Sequence, residues 1–343
     1  MIDLIKELCG LPGVSGREGA VREYILEKLS VSSAKIKTRV DPLGNVIAEV
    51  TGRSRTRRSL LLAAHMDEVG FIITGVTDEG FLRFASVGGI DEQVVYGRRV
   101  IVNGHPGVIG GKATHQLEKD EKNSAVPLDK LLIDIGADSR GEAIKKAEPG
   151  DVAVFESGFK EIGGLIKARA LDNRAGCALL LKLAETTPEY DLTLAFTVQE
   201  EVGLRGAKTA AYGINPDIAI VVDSTTAADT AGVPKEKQVC RIGKGPVISF
   251  MDNRTLYDKK LFDIILDAAK TTNIKAQVKS AVVGGNDAGA IHLSKCGVRV
   301  AAVSLPCRYL HSASCMISKG DLEETLKLLE RLIPLFAAEV EID

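Results

Sequence analysis

The hydrophobic and polar positions along the chain alternate between helical and extended spacing, which predicts an α/β fold. Residues 1–29 have the spacing of two amphipathic helices, which glycine and proline separate at residues 10–16. The run 59–64 is apolar enough to be a central strand of a sheet that helices cover on both faces. Further strands are predicted at 45–50, 192–199, 217–223, 247–251, 276–280 and 298–303, and further helices at 178–185, 207–211, 259–270 and after Ser318.

Short β-type runs punctuated by glycine fill the stretch from residue 71 to residue 164. Helices and strands alternate again after this stretch. We therefore predict a small β-barrel-like domain at 71–164 that is inserted into a larger α/β domain formed by 1–70 and 165–343. The polar run 115–124 within the insertion is expected to be an exposed loop. Strands of the inserted domain are predicted at 81–84, 98–103, 107–110, 131–135 and 152–155.

Two adjacent carboxylates, Glu200 and Glu201, end the apolar run that begins at Leu192. Neighbouring side chains of a strand point to opposite faces. Both carboxylates can therefore serve one site only if the strand stops and the backbone turns, as Gly203 permits. One carboxylate could then hold a metal while the other takes a proton from a water. Taken alone, the pair is equally compatible with a solvated strand end.

Other side chains of the kinds that bind metals also follow strands or precede helices. His65 directly follows a predicted strand, and Asp67 shares its face because the two residues are two positions apart. Asp172 lies in the turn before a helix, where it could cap that helix or contact a cation. Asp223 ends a buried strand, where a turn residue is common, and His311 follows the last strand.

In an open α/β sheet these strand ends converge on one edge, where ligands bind. Three carboxylates and two imidazoles exceed what a single tetrahedral zinc site needs. Two metal ions that share one bridging carboxylate fit the set better. Nitrogen and oxygen ligands leave zinc, cobalt and manganese open as the metal.

Composition narrows the class of protein further. The 343 residues are 45% hydrophobic and 26% charged with a net charge of −2, as in folded proteins without affinity for nucleic acid. The basic segment 53–58 is predicted to be an exposed hairpin tip. Ser15 or its neighbours are expected to cap the second helix, and Ser318 with Asp321 to cap the last helix. His105 and His115 are expected to be structural or solvated. Six scattered cysteines without a C-x-x-C pair favour reduced thiols in a cytoplasmic protein, and no apolar run approaches the roughly 20 residues of a membrane span.

Six segments in order resemble a known family. They are H-M-D-E-V-G at 65–70, A-L-D-N-R-A-G at 170–176, Q-E-E-V-G at 199–203, V-V-D at 221–223, G-G-N-D-A-G at 284–289 and R-Y-L-H-S at 308–312. These segments look like the signature blocks of the tetrahedral (TET) or glutamyl-aminopeptidase-type metallo-aminopeptidases, some of which carry endoglucanase or cellulase labels. The resemblance runs nearly end to end and includes the β insertion.

The resemblance implies two divalent metal ions per subunit, zinc or cobalt with manganese as a further choice. By resemblance, Asp172 bridges the two ions. His65 and Asp223 would complete one site, and Glu201 and His311 the other.

The resemblance also implies the roles of two further carboxylates and the assembly. Glu200 would be the general base and Asp67 would orient His65, as such carboxylates commonly do. Asn286 stands where the family often has threonine, from which we expect altered loop packing or substrate contacts. The insertion 71–164 would be a dimerisation domain, and dimers would assemble into a hollow tetrahedral dodecamer.

The implied activity is the release of N-terminal residues from short peptides. One alternative is a two-metal deacylase or carboxypeptidase, which would accept blocked amines. A second is a glycosidase that uses Glu200 and Glu201 as an acid and base pair, although the chain has no tryptophan and only 4% aromatic residues to stack on sugars. A third is a peptide-binding scaffold without catalysis, which the loss of any predicted ligand would favour. The family contains enzymes for neutral, acidic and basic N-terminal residues, so the resemblance leaves the preferred side chain open.

Overall fold

The computed structural model describes residues 1–56, 58–116 and 125–338. These residues form helices on a mixed sheet, together with a closed barrel. The helices are α1 Ile2–Gly10, α2 Gly19–Ser30, α3 Arg140–Ile144, α4 Leu171–Leu183, α5 Arg205–Ile214, α6 Lys259–Thr271, α7 Ala288–Ile291 and α8 Lys319–Ala337. The strands are β1 Ile36–Val40, β2 Val46–Val50, β3 Leu60–His65, β4 Gly70–Val76, β5 Leu82–Val87, β6 Arg99–Val102, β7 His105–Gly110, β8 Leu132–Asp134, β9 Val152–Phe155, β10 Lys160–Ile162, β11 Leu165–Ala168, β12 Leu192–Thr197, β13 Ile218–Thr226, β14 Val247–Ile248, β15 Gln277–Val278, β16 Arg299–Cys307 and β17 Cys315–Ser318. None of the helices in this described part of the chain is long and apolar enough to cross a membrane.

The main sheet has eight strands in the order β1-β2-β12-β3-β13-β16-β14-β15. The central strands β12, β3, β13 and β16 run parallel, whereas β2 and β14 are antiparallel to their inner neighbours. A central parallel strand is buried on both of its faces. Leu60 and Leu62 of β3 pack in the core under α1, α4 and α8, and Leu61 and Ala63 pack in the core under α5 and α7 on the other face. The predicted α/β class with a mixed sheet between helices is confirmed.

The barrel closes in the strand order β4-β5-β8-β7-β6-β9 and has a hydrophobic core of its own. Phe71 lies at its centre, with its ring edge-to-face to Phe84 at 5.1 Å and to Phe155 at 5.2 Å. Edge-to-face packing of this kind stabilises a small core beyond simple burial. The five strands predicted in the insertion are all present. The barrel also contains β4, which follows β3 after only four residues.

One local prediction is wrong, and another lies partly outside the described residues. The segment 53–58 is not a hairpin tip, because β12 lies between β2 and β3 and the connection crosses its end. There, the Arg53 amide donates to Pro188 O at 3.1 Å. Arg53 and Arg55 are exposed as expected, and Arg57 lies outside the described residues. His105 and His115 are exposed, and residues 117–124 of the predicted polar loop lie outside the described residues.

Helix capping was predicted correctly at one helix and wrongly at another. The Ser318 side chain accepts a hydrogen bond from the Asp321 amide and caps α8. Ser15 does not cap α2, whose N-cap residue is Glu18 without a side-chain capping bond. Ser15 Oγ instead donates to Asp67 Oδ2 at 2.6 Å, so its hydroxyl supports the edge of the sheet.

Candidate metal centre

The carboxyl ends of the four parallel strands meet at one edge of the sheet. The register pairs Thr197 of β12 with His65 of β3, and Val221 of β13 with Ala63 of β3. His65 and Asp223 therefore stand at the same level on neighbouring strands. β13 continues to Thr226, so Asp223 lies within the strand and not at its end as predicted.

His65 forms one side of the cluster. Its Nε2 lies 3.2 Å from Asp172 Oδ1 and 3.6 Å from Asp223 Oδ1, and all three side chains are buried. Its Nδ1 faces Asp67, at 3.2 Å from the carbonyl oxygen and 3.4 Å from Oδ1. A hydrogen bond from Nδ1 to Asp67 leaves the lone pair of Nε2 directed at the cluster, as in histidines that bind metals.

His311 forms the opposite side. Its Nε2 lies 3.2 Å from Glu201 Oε2 and 3.6 Å from Asp172 Oδ2, while its Nδ1 lies 2.8 Å from Gly89 O in the barrel. The two oxygens of Asp172 thus face two different histidines. A carboxylate with this arrangement is suited to bridge two cations.

The turn after β12 places Glu200 and Glu201 in the same cluster. The strand ends at Thr197, and Gln199 then adopts a φ of 55°. Asp67 accepts hydrogen bonds from the Glu200 amide at 3.0 Å and from the Glu201 amide at 3.1 Å. The fully buried carboxylate of Asp67 therefore holds the turn, which meets the predicted condition that the strand stops and the backbone turns.

Burial raises the pKa of several carboxyl groups in the cluster. The pKa of Glu200 lies well above its usual range because its side chain is buried, and the attraction of His65 only partly offsets the burial. Burial also raises the pKa of Glu201 and of Asp223. Asp172 behaves oppositely, since hydrogen bonds from the two imidazoles overcome its burial and lower its pKa.

The imidazoles respond to the same charges. Burial alone would lower the pKa of His311, but Asp172 and Glu201 raise it to about 11. The pKa of His65 is also raised well above its usual range, against burial, by Glu200 and the neighbouring aspartates. The negative charge of the carboxylates therefore favours positive charge at the position of both histidines, and bound divalent cations would provide it.

The donor atoms are close enough to hold cations. His65, Asp172 and Glu201 offer ligand atoms that all lie within 4.8 Å of one another, and so do His65, Glu200 and Asp223. Imidazole nitrogens and carboxylate oxygens suit zinc, cobalt and manganese. The donor set therefore fits the predicted metal ions, and the assignment of each residue to one ion stays a prediction. All seven residues predicted for the site lie in this cluster: His65, Asp67, Asp172, Glu200, Glu201, Asp223 and His311.

Asp287 is a further carboxylate near the site that the sequence prediction missed. It is 1% exposed, and Thr197 Oγ1 donates to its Oδ2 at 2.5 Å. Its Oδ1 has no hydrogen-bond partner in the described structure. Burial raises its pKa to about 7. Its only signal in the sequence was its place in the segment G-G-N-D-A-G, in which no metal-binding or catalytic role was predicted for it.

Buried arginines under the site were also missed. Arg174 is fully buried, with Nε donating to Met66 O at 2.8 Å and Nη1 donating to Leu8 O at 2.6 Å. Glu68 accepts hydrogen bonds from Arg169 and pairs with Arg174. These bonds satisfy the backbone where the chain leaves β3, and so fix the residues next to His65 and Asp67.

A cavity of about 450 Å³ opens above the cluster. One wall is the loop 283–286 and another is the stretch 224–226 of β13. Asn286 is buried in this loop, where Nδ2 donates to Tyr257 Oη at 3.0 Å and Oδ1 accepts from the Ala288 amide at 2.9 Å. Its predicted effect on loop packing or substrate contacts stays a prediction.

Comparison with known proteins agrees with this geometry. Residues 44–328 match the family described as M42 glutamyl aminopeptidase. A putative aminopeptidase of Acetivibrio thermocellus is 41% identical over 335 residues, which cover 97% of this chain and 98% of the relative. The chain belongs to the M42 glutamyl aminopeptidase family. Membership in the M42 family makes it a hydrolase of the aminopeptidase class and confirms the resemblance of the six segments.

Solved structures support the M42 fold across the whole chain. The TET1 peptidase of Pyrococcus horikoshii, described as able to assemble into a tetrahedron or a large octahedral shell, is 38% identical with a TM-score of 0.84 and 99% of each chain covered. A Thermotoga maritima structure titled endoglucanase is 34% identical, with a TM-score of 0.79 and 96% of each chain covered. The M42 fold thus occurs under both labels, as expected from the sequence.

Proposed function

We propose that the chain is a two-metal aminopeptidase that releases the N-terminal residue of short peptides. The observation that carries this proposal is the position of Asp172, whose two oxygens face His65 on one side and His311 on the other. Two cations bound by this carboxylate and its neighbours would lie at the mouth of a cavity large enough for one residue of a peptide.

The ligands would divide between two cations around Asp172. His65 and Asp223 would hold one cation, and Glu201 and His311 would hold the other, with zinc or cobalt as the first choices and manganese as the third. Divalent cations at this place supply Lewis acidity, which polarises a carbonyl group and lowers the pKa of a water. Asp67 is a positioning residue, because it fixes both the His65 ring and the turn after β12.

Glu200 is the general base in this proposal. Its carboxyl group is buried beside the cluster, and burial raises its pKa well above its usual range, as is common for carboxylates that act as general bases. Glu200 takes the proton of the attacking water on a carboxylate oxygen. It then returns this proton to the nitrogen of the leaving amine.

The inserted region 71–164 is proposed as a dimerisation domain within a catalytic domain formed by 1–70 and 165–343. The barrel with its own core supports this division. Assembly of dimers into a tetrahedral dodecamer is proposed from the likeness to the TET1 peptidase, whose title describes a tetrahedron. The cytoplasmic location, expected from the cysteine pattern, stays a prediction.

Metal removal tests the proposed reaction. Dialysis against a chelator should lower the hydrolysis of aminoacyl p-nitroanilides by more than about 100-fold, because the cluster loses its Lewis acids. Zinc, cobalt or manganese, added back singly, should restore the activity. The measurement is initial rate against bound metal per subunit, with two ions expected at full activity.

N-acetylated forms of the same substrates are the matched control. An aminopeptidase should leave them intact, whereas a deacylase of similar architecture should hydrolyse them. Equal rates on free and acetylated substrates, or full activity without bound metal, would contradict the proposal.

A further inference from the structure

The turn that carries Glu200 and Glu201 begins at a residue in an unfavourable conformation. Gln199 has a φ of 55°, in the left-handed region that side chains other than asparagine and aspartate rarely adopt. Two further positive φ angles end the turn, 118° at Gly203 and 58° at Leu204. Such conformations persist only where surrounding contacts hold them. The contacts of Gln199 therefore also determine where the carboxyl group of Glu200 lies.

Two buried carboxylates hold three consecutive amides of this turn. Asp67 accepts from the amides of Glu200 and Glu201, as described above. The amide of the preceding residue, Gln199, donates to Glu18 Oε1 at 3.1 Å. Glu18 is 5% exposed, and it lies 181 positions before Gln199 in the sequence. Its side chain therefore packs against the start of the turn instead of extending into solvent.

Glu18 is itself fixed by the segment between the first two helices. Its Oε1 also accepts from the Gly16 amide at 2.7 Å, so one oxygen connects this segment to the turn after β12. In the same segment Ser15 donates to Asp67. Glu18 is the N-cap residue of α2, but its side chain makes no capping hydrogen bond. The contact with Gln199 can therefore be removed without the loss of a helix cap.

We propose that Glu18 is a positioning residue of the reaction, because it holds Gln199 in the left-handed conformation and thereby directs the carboxyl group of Glu200 at the cluster. The inference rests on the aminopeptidase function proposed above. Glu18 lies outside the residues that line the cavity, so it acts through the backbone of the turn and not by contact with the substrate. Asp67 fixes the two following amides, whereas Glu18 fixes the residue at which the chain enters the turn.

The first arm of the experiment compares two substitutions of this glutamate. Glu18→Ala removes the acceptor, and Glu18→Gln keeps an acceptor oxygen on a side chain of the same length. At saturating metal, Glu18→Ala should lower kcat on leucyl p-nitroanilide by about 10- to 100-fold with little change in KM, the loss expected when a catalytic group is displaced by about 1 Å. Glu18→Gln should keep most of the wild-type kcat. Glu23→Ala is the control on the same helix, because the Glu23 side chain is 73% exposed.

The second arm changes the conformational preference of residue 199. Asparagine adopts the left-handed conformation more readily than glutamine. Gln199→Asn should therefore raise the kcat of the Glu18→Ala variant several-fold, and it should leave wild-type kcat nearly unchanged because Glu18 already holds the conformation. Gln199→Val keeps Glu18 but disfavours the left-handed conformation, since valine is β-branched. It should lower kcat as Glu18→Ala does.

The third arm measures the contact without reference to activity. Amide hydrogen exchange of the metal-free protein should be faster in peptides that cover 198–204 in Glu18→Ala than in wild type. The physical reason is that the Gln199 amide loses its acceptor and the turn opens more often. Glu18→Gln should keep the wild-type exchange rate.

Wild-type kcat in Glu18→Ala or in Gln199→Val would overturn the positioning role and leave the aminopeptidase function standing. A loss of kcat in Glu18→Ala that either Glu18→Gln or Gln199→Asn fails to restore, or a wild-type exchange rate in Glu18→Ala, would also overturn it. Failure of the metal-loaded wild-type enzyme to hydrolyse any aminoacyl p-nitroanilide would overturn the proposed function, and the positioning role in that reaction with it.

Discussion

At the scale of single residues, Glu200 is the group whose proposed role can be separated from metal binding. Glu200→Gln keeps the length of the side chain, and it also keeps the backbone amide of residue 200 that donates a hydrogen bond to Asp67. We expect a folded protein with wild-type metal content and a kcat lowered by about 10²–10⁴-fold, the usual contribution of a general base. The measurements are metal analysis and steady-state kinetics.

An exposed glutamate provides the control for this substitution. Glu23 on α2 has a side chain that is 73% exposed, so Glu23→Gln should have wild-type kinetics. Wild-type turnover in Glu200→Gln would remove Glu200 from the mechanism. Loss of bound metal in the same variant would instead assign Glu200 to the ligands, because it also lies within reach of His65 and Asp223.

Asp287 gives the metal-free protein a specific pH dependence. Burial raises its pKa from 3.8 to about 7, so the folded state keeps a proton that the unfolded state has lost. Stability is therefore fully present below the unfolded pKa and falls as the pH rises through the folded pKa. In Asp287→Asn this fall is absent, and the free energy of unfolding should gain on the order of 2 kcal/mol over wild type between pH 5 and pH 8.

Denaturant unfolding of both metal-free proteins at several pH values measures this difference. Parallel curves for the variant and the wild type would show that Asp287 is ionised in the folded protein at neutral pH. The buried Oδ1 without a partner would then need another explanation.

The identity of the site residues was predictable, but their supports were not. Histidines and carboxylates after strands have a recognisable order in the sequence, as His65 and Asp223 show. Asp287 and Arg174 had no such signal, because their roles depend on burial and on partners far away in the chain. Arg174, for example, donates to Leu8 O across 166 positions of sequence.

At the scale of elements, periodicity predicted the strands well and their ends less well. β3 is apolar on both faces and is a central strand, as expected. β12 stops at Thr197 and β13 continues to Thr226, because the length of a strand depends on its neighbours in the sheet. The hairpin predicted at 53–58 failed for the same reason. Strand order is set by tertiary contacts that local sequence does not encode.

The turn that follows β5 connects the barrel to the candidate metal centre. Gly89 O accepts from His311 Nδ1, and a Cβ atom on Gly88 would lie 2.7 Å from Val69 Cγ1 and 3.3 Å from Glu201 Cβ. Gly88→Ala should therefore displace the carbonyl that orients His311. We expect the affinity for the metal ion assigned to Glu201 and His311 to fall by about 10- to 100-fold, as when other hydrogen-bond partners of metal-binding histidines are lost.

Gly97→Ala is the matched control for this substitution. Gly88 has a φ of 83° and Gly97 a φ of 74°, so alanine meets the same backbone strain of about 1 kcal/mol at both positions. No heavy atom lies within 4 Å of a Cβ at Gly97, so only the strain is shared. Metal titration of both variants measures the difference in metal affinity. Equal affinities for Gly88→Ala and Gly97→Ala would show that the barrel turn does not hold His311 in place.

At the scale of the whole molecule, the insertion could be predicted from the sequence because its pattern of apolar runs and glycines differs from that of the rest of the chain. Short runs with frequent glycine predicted strands but not their closure. Closure depends on the pairing of β4 with β9, which joins residues about 80 positions apart. Assembly between copies of the chain left no such pattern, and its prediction rests on the family.

Substitution on the barrel surface tests the proposed dimerisation domain. Val108 on β7 is 46% exposed although it is apolar, and a subunit interface would bury it. Val108→Asp places a charge there, and a desolvated unpaired charge weakens association. We expect light scattering to show a smaller assembly than for wild type. Val31→Asp is the control, because Val31 follows α2 outside the barrel and is 75% exposed. If Val108→Asp keeps the wild-type mass, this face of the barrel is not the interface, and the dimer must form through another surface.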